Sequence, residues 1–422
     1  MVLRRSTGLL VVAVLVVSCG GSPSAASTTP LVLGAIYPLS GPQAPGGRDE
    51  LAGVQTALQL AHLSRPVQLR VIDAVTPDAA VAAVERLASR DHVPAILGTY
   101  GSTLSAAASA RAEQLKTVYW ETGAVADPIT AQRSYVFRTV ATGSSLGRMA
   151  VSFTHDVLIP ASGLNSPRVV VVEVNDVYGQ SVGGGEVQLA KQLGVDVVDV
   201  ITYSPFAFDP DALARRVAGD RPDFLWDVSY LDDGVAIWQA IVRNHVNLKA
   251  AVGTSSAFCM PDFGLKLGKE AIGVYAADKP DGQISIAALS TAGRNLLLQA
   301  ESAYAQTHGG ARMSIPAVAG FVGAWTLLHD VLGRMSGGVT AESIRTAALS
   351  VDVPVGDEIN GGGVRFGPGG SLDQGQNTRS AAVVGQWQGI GNMQVVYPSA
   401  YATAKPLPLA GVVTPRASAE PG

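Results

Sequence analysis

Two doubly wound α/β units, followed by a helical stretch and a short β tail, are what this sequence predicts. From residue 31 to residue 138, apolar runs alternate with helical patterns at intervals of about thirty residues, the rhythm of parallel βαβ units. The rhythm restarts at residue 168 and runs to residue 277, where helices with little strand between them take over. A chain of 422 residues normally divides into two domains and buries ample core.

The first unit opens with a strand over 31–37, closed by the turn Pro38-Leu39-Ser40-Gly41-Pro42. A helix follows over 47–62, with Leu51, Val54, Leu58 and Ala61 at helical spacing. After a strand over 67–73, Thr76 caps a helix over 79–89 with Pro77 at its first position. Strands are expected over 95–98, 117–120 and 135–138, with a helix over 105–115. The second unit starts with the valine-rich run 168–174, the strongest strand in the chain. Helices over 183–193, 209–218 and 232–244 alternate with strands over 195–203, 223–228 and 250–253, and 273–277 is extended. Three helices are expected over 290–307, 316–335 and 340–349. Short antiparallel strands over 363–366, 381–388 and 393–397 precede a Pro- and Ala-rich tail, 401–422, expected to be disordered.

The first residues set the compartment. Arg4 and Arg5 form a basic start, and 8–17 is an uncharged apolar run too short to span a bilayer but suited to a signal peptide, 1–18. It ends in Val16-Val17-Ser18-Cys19, which resembles a bacterial lipoprotein signal. Cys19 is therefore expected to carry the lipid, with 19–30 as a flexible tether. Loss of 1–18 removes two Arg and no acid, so the formal net charge moves from −4 to −6, which leaves no electrostatic footprint for nucleic acid. Cys19 and Cys259 are the only cysteines, so Cys259 is expected to be a lone thiol.

In the first unit the turn Gly98-Thr99-Tyr100-Gly101-Ser102 carries the strongest site signal. It places N–H groups and hydroxyls at the carboxyl end of a strand, where open α/β sheets bind ligands. That turn, with Gly34-Ala35-Ile36-Tyr37-Pro38-Leu39-Ser40-Gly41, Tyr135-Val136-Phe137-Arg138-Thr139 and Asn175-Asp176-Val177-Tyr178-Gly179, resembles the leucine/isoleucine/valine-binding proteins in order and spacing. These are extracytoplasmic solute receptors of ABC importers. The resemblance covers about 31–400. It implies the type I periplasmic-binding-protein fold: two doubly wound, Rossmann-like lobes joined by three hinge crossings, with solute held between them. Lobe 1 would be 31–140 and 278–353, and lobe 2 141–277 and 354–400. The implied partners are a small polar solute, the permease subunits and the membrane through the lipid; no cofactor is implied, and a monomer is expected.

By the same resemblance Ser102 would hold a ligand carboxylate, and Gly123, Ala124 and Val125 would meet the ligand mainly through backbone. Val125 stands where the family has a Thr, so one hydroxyl is missing. Tyr178 and Tyr230 would line the cleft from lobe 2, and Phe321 would approach it from a lobe 1 helix. Amino-acid binders of the family place an acid after the strand 250–253 to pair with the ligand ammonium, and this chain has Thr254-Ser255-Ser256. An unpaired buried ammonium costs several kcal/mol, about the whole affinity of a micromolar site. Either Asp227, Asp232 or Asp176 substitutes, or the solute is an amide, a polyol or another neutral compound rather than an α-amino acid; the second reading is favoured.

Other chemistries have less support. Gly143-Ser144-Ser145-Leu146-Gly147 fits the nucleophile-elbow pattern of a secreted serine hydrolase, but Ser145 does not turn directly off a strand and no oxyanion segment precedes it. The Gly-rich runs 183–185 and 361–363 lack a P-loop lysine, and the six His form no cluster with metal-ligand spacing. A ligand-sensing receptor of the same fold remains the alternative to an importer.

Overall fold

The computed structural model describes residues 29–63, 65–335 and 337–409. The signal segment 1–18, the lipidation site Cys19 and most of the tether lie outside the described residues.

Two parallel sheets carry the molecule. The first holds β1 (Leu31–Tyr37), β2 (Val67–Asp73), β3 (Ala95–Gly98), β4 (Val118–Glu121) and β5 (Val136–Arg138) in the order β2-β1-β3-β4-β5. The helices α1 (Ala44–Leu60), α2 (Pro77–Glu85) and α3 (Ser102–Gln114) connect them. One face packs on α2 and α3 through Ile36, Ile96, Leu104, Ala108 and Tyr119, all buried. The other packs on α1 through Leu33, Leu97, Val54 and Trp120, together with Ala300, Phe321 and Leu327 from far along the chain.

The second unit follows α4 (Gly143–Phe153) and the short α5 (Ile159–Ser162). Its strands are β6 (Arg168–Val174), β7 (Asp196–Tyr203), β8 (Phe224–Val228), β9 (Ala250–Thr254) and β10 (Tyr275–Asp278). The helices α6 (Val177–Leu193), α7 (Pro210–Asp220), α8 (Leu231–Arg243) and α9 (Pro261–Leu267) run between them. β6 explains its own composition: Val170, Val172 and Val174 enter one core cluster and Val169 and Val171 the opposite one. A strand buried on both faces reads as a continuous apolar run.

The chain then returns to the first lobe as α10 (Thr291–Thr307), α11 (Ile315–Trp325) and α12 (Ala341–Ala348). The helical stretch Ile315–Arg334 is long and apolar enough to cross a membrane, but 89% of its apolar window is buried inside the protein, as a core helix. An antiparallel hairpin, β11 (Val383–Gly389) and β12 (Asn392–Tyr397), closes the second sheet in the order β12-β11-β10-β9-β8-β6-β7.

Three expectations need correction. Residues 354–380 do not join the second lobe: Ile359, Val364 and Phe366 lie in the first lobe's core, and the Phe366 ring stands edge-on to Trp120 at 5.3 Å and Phe137 at 5.2 Å. Two bulky rings on β4 and β5 give this apolar segment a surface to cover, so the last crossing falls just before the hairpin. Residues 363–366 form isolated bridges rather than a strand. The tail is ordered as far as Leu409: Thr403 donates its N–H to Val395 at 2.8 Å and Leu407 to Gln386 Oε1 at 2.8 Å. Composition did not reveal the free acceptors of the hairpin edge that hold it.

Candidate functional site

The strand order reverses between β1 and β3 in the first sheet and between β6 and β8 in the second. The turns at the carboxyl ends of those strands are the natural binding crevices of such sheets, and here they face each other. The crevice closes to a narrow space of about 10 Å³, room for about one water, with walls from both lobes, so a larger solute enters only as the lobes part. Glu50, Tyr100, Gly123, Ile315 and Ala319 come from one side. Ser255, Ser256, Cys259 and Met260 come from the other, with Asp278 and Lys279 where the chain crosses.

The first lobe's turn is a tightly knotted structure. Gly101 has a φ of +94°, and a Cβ there would lie 2.1 Å from Gln43 Oε1, so the residue before α3 must be glycine. Ser102, buried at the start of α3, accepts the N–H groups of Val125 at 3.3 Å and Ala126 at 3.1 Å. Beneath it, Glu121 is fully buried at the end of β4. Its Oε1 accepts the N–H groups of Gly123 and Ala124, both at 2.7 Å. Its Oε2 accepts Thr99 N–H at 3.3 Å and the Ser105 hydroxyl. Burial raises Glu121 to about 7 against these bonds. The resemblance implied that the backbone of 123–125 meets the ligand, but the protein's own Glu121 and Ser102 occupy its N–H groups.

In the second lobe's turn, Ser255 and Ser256 both sit at positive φ, 54° and 37°, a strained arrangement for non-glycine residues. Lys279 Nζ donates to Ser255 Oγ at 3.3 Å and pairs with Asp278 Oδ1 at 3.0 Å. Burial works against the Lys279 charge, yet Asp278, Cys259 and Glu50 together hold its pKa above the ordinary lysine value. Ser256 and Tyr100 line the cavity together from opposite lobes. Thr254 points the other way, its Oγ1 donating to Glu186 Oε1 at 3.3 Å inside the lobe.

The tyrosines form a second cluster beside the cavity. Tyr178 donates to the Thr254 carbonyl, and its ring lies 5.2 Å from that of Tyr230. Asp176, the N-cap of α6, accepts Tyr178 N–H at 2.9 Å and Gly179 N–H at 3.0 Å on Oδ1. Its Oδ2 accepts the Tyr230 hydroxyl at 2.8 Å and, from the opposite lobe, the Thr103 hydroxyl at 3.0 Å.

Of the residues singled out in the sequence, Gly123 and Ser255 line the cavity, while Ser102, Ala124, Val125, Tyr178, Tyr230 and Thr254 support its walls. Phe321 does not reach it: the ring is buried in the first lobe's core and stacks on Trp325 at 5.8 Å. Ala319, earlier on the same helix, takes the wall position. None of the three candidate substitute acids lines the cavity. Asp176 is committed as a cap, Asp232 pairs with Lys266 at 2.8 Å in solvent, and Asp227 accepts the Ser229 hydroxyl at 2.7 Å inside the lobe. Sequence reading missed Glu50, Asp278 and Lys279. Glu50 sits at helical spacing with buried α1 residues (Val54 four further on), an acid on an apolar face, and that is the signal that could have found it. Ser145 serves its helix: Thr142 Oγ1 accepts its N–H at 3.1 Å and meets its hydroxyl at 2.7 Å. Among the described residues no group of His, Cys, Asp and Glu is placed to hold a metal ion.

Comparisons with known proteins agree with the fold. A Leu/Ile/Val-binding protein homolog of Brucella suis biovar 1 is 28% identical over 410 residues, covering 95% of this chain and 98% of that protein. The fold superposes on a leucine-binding protein of Thermotoga maritima MSB8 with a TM-score of 0.74 at 17% identity, covering 86% of this chain and 97% of that one. It also superposes on a solute-binding protein of R. palustris in complex with benzoate, with a TM-score of 0.70 at 17% identity, covering 90% and 99%. The family model described as periplasmic binding protein matches residues 30–390, which takes in the first sheet, every strand of the second but β12, and every wall of the cavity. With two type I lobes meeting at this crevice, the chain belongs to the periplasmic binding protein family.

Proposed function

We propose that this protein is the extracytoplasmic receptor of an importer of the branched-chain-amino-acid type, closing two lobes on a small polar solute and delivering it to a membrane permease. The observation that supports the reading is the polar crevice between the lobes, with Glu50, Tyr100 and Gly123 on one wall and Ser255, Ser256 and Lys279 on the other. A space lined by two hinged bodies fills and empties by their opening, which is what a shuttle between solution and a permease requires. Ser102, Ala124, Val125, Tyr178, Tyr230 and Thr254 shape the walls in this reading. The Cys19 signal supports a lipid anchor that keeps the receptor at the membrane.

The test is a thermal-shift screen of the mature chain against amino acids, amines, amides, carboxylates, polyols and sugars. A tight solute present at about a hundred times its Kd stabilises by about 2.7 kcal/mol and raises Tm by several degrees. No shift with any solute, together with turnover of p-nitrophenyl esters that Ser145→Ala abolishes, would overturn the reading. Membrane fractionation tests the anchor: Cys19→Ala should release the protein into the soluble fraction.

A further inference from the structure

Two buried carboxylates turn an unused oxygen toward the cavity. Glu50 accepts the Thr122 hydroxyl on Oε1 at 2.5 Å, while its Oε2 has no partner. Asp278 pairs with Lys279 through Oδ1, while its Oδ2 has none. Both side chains are almost wholly buried, Glu50 at 0% exposure and Asp278 at 2%, and both line the same space. An oxygen buried without a donor is costly unless something supplies one.

The position of Glu50 is built into the packing. A Cβ at Gly53 would lie 1.8 Å from the Ala317 carbonyl, and one at Gly320 would lie 2.0 Å from the Glu50 carbonyl. These two glycines let α1 and α11 touch backbone to backbone, which carries Glu50 inward. A Cβ at Gly123 would stand 2.0 Å from Glu50 Oε2, so the glycine leaves the gap through which the carboxylate reaches the cavity.

The remaining polar groups say what the missing partner is. The backbone donors of Gly123, Ala124, Val125 and Ala126 are already committed to Glu121 and Ser102. The buried polar atoms of the lining left without a partner are both acceptors, Glu50 Oε2 and Asp278 Oδ2. With both acids ionised, two carboxylates would face one ammonium, and a solute carboxylate would add to that imbalance. Burial first, then the nearby Glu121, push Glu50 well above the ordinary carboxylate range, so the closed cleft alone favours its neutral form and a cation placed beside Oε2 would stabilise its charge.

We propose that the cleft takes its solute through a protonated nitrogen received by Glu50 and Asp278, and that a carboxylate on the solute is not required. The acid absent from the turn at Thr254 is replaced from the opposite lobe. This rests on the receptor reading above and names the class of solute.

Titration calorimetry with solutes that share a skeleton but differ in head group tests it: isopentylamine, leucine, isovaleramide and isovalerate, with the methyl and benzyl series alongside. An amine should bind at least about tenfold tighter than the amide and the carboxylate of its skeleton, and leucine no more than about threefold tighter than isopentylamine. Glu50→Gln, which keeps the shape and the Thr122 contact, should weaken amine binding at least about tenfold while lowering the Tm of the empty protein by no more than about 3 °C. Asp278→Asn should act in the same direction. Binding of none of the nitrogen cations overturns the proposal, as does an amine affinity that Glu50→Gln leaves unchanged. If carboxylates or amides bind best, the receptor reading stands and this inference alone falls; only a blank across the whole solute screen removes both.

Discussion

Glu121 and Glu50 are both fully buried in the same lobe, close enough that Glu121 helps to raise the Glu50 pKa, and the fold treats them in opposite ways. Glu121 accepts three backbone N–H groups and a serine hydroxyl and has no oxygen left over. Glu50 accepts one hydroxyl and leaves an oxygen facing an enclosed space. Burial alone does not tell a structural acid from a binding one. What separates them is whether the protein itself fills their lone pairs.

Substitution should split the pair most sharply. Glu121→Ala strands the N–H groups of Thr99, Gly123 and Ala124 and the Ser105 hydroxyl in a dry interior, and should destabilise the protein by about 3 kcal/mol or more. Glu50→Gln should cost less than about 1 kcal/mol, since a neutral isostere keeps the single bond that exists. Denaturant unfolding of the two variants at one pH checks this. Similar losses would erase the distinction.

Alkaline pH tests both acids together with their counterparts in the other lobe. Burial raises Glu121 to about 7, Asp227 to about 7 and Glu186 to about 8, and lifts Glu50 well above its ordinary value. A carboxyl whose folded pKa is raised contributes stability that is complete below its unfolded value, near 4, and lost as pH climbs through the folded value. Tm should therefore fall between pH 5.5 and pH 9, by an amount corresponding to several kcal/mol. The lowered carboxyls Asp73, Asp156, Asp211 and Glu342 are at the surface and act only at the acidic end, where solvent screens them. Glu50→Gln should flatten part of the slope. A Tm that rises over this range would show that the buried acids are ionised and paired in the folded state.

The lobes, the strands and the turn at Ser102 were legible because each is written locally: an apolar run, a glycine, a helix cap. β6 could be read from five valines. The cavity wall was not, because it is assembled by close approach of distant segments. Glu50 reaches it only through Gly53, Gly123 and Gly320, which lie as much as 270 residues along the chain from it. A glycine in a helical pattern carries no sign of which backbone it will meet. The search for a substitute acid stopped at the strand ends of the second lobe for the same reason. Phe321 was misplaced because helical phase within α11 separates a core ring from the wall residue Ala319 by a third of a turn or more, and the sequence does not set that phase.

Asp176 falls between the two glutamates, and it gives the finest test of the comparison. Its Oδ2 is filled, but one of the two donors, Thr103, belongs to the other lobe at 3.0 Å. Opening the cleft takes that donor away, so Asp176 is satisfied in full only when the lobes are closed. Thr103→Val removes the bond from the closed state and costs the open state nothing. Its net worth is about 0.5–1.5 kcal/mol, which predicts a roughly two- to tenfold loss of solute affinity with little change in the Tm of the solute-free protein. Tyr230→Phe removes the other donor, which stays with Asp176 whether the lobes are open or shut, and should lower stability more than affinity. Calorimetry and thermal melts of the two variants separate these effects. If both substitutions moved affinity and Tm in the same proportion, Asp176 would belong with Glu121 as a purely structural acid.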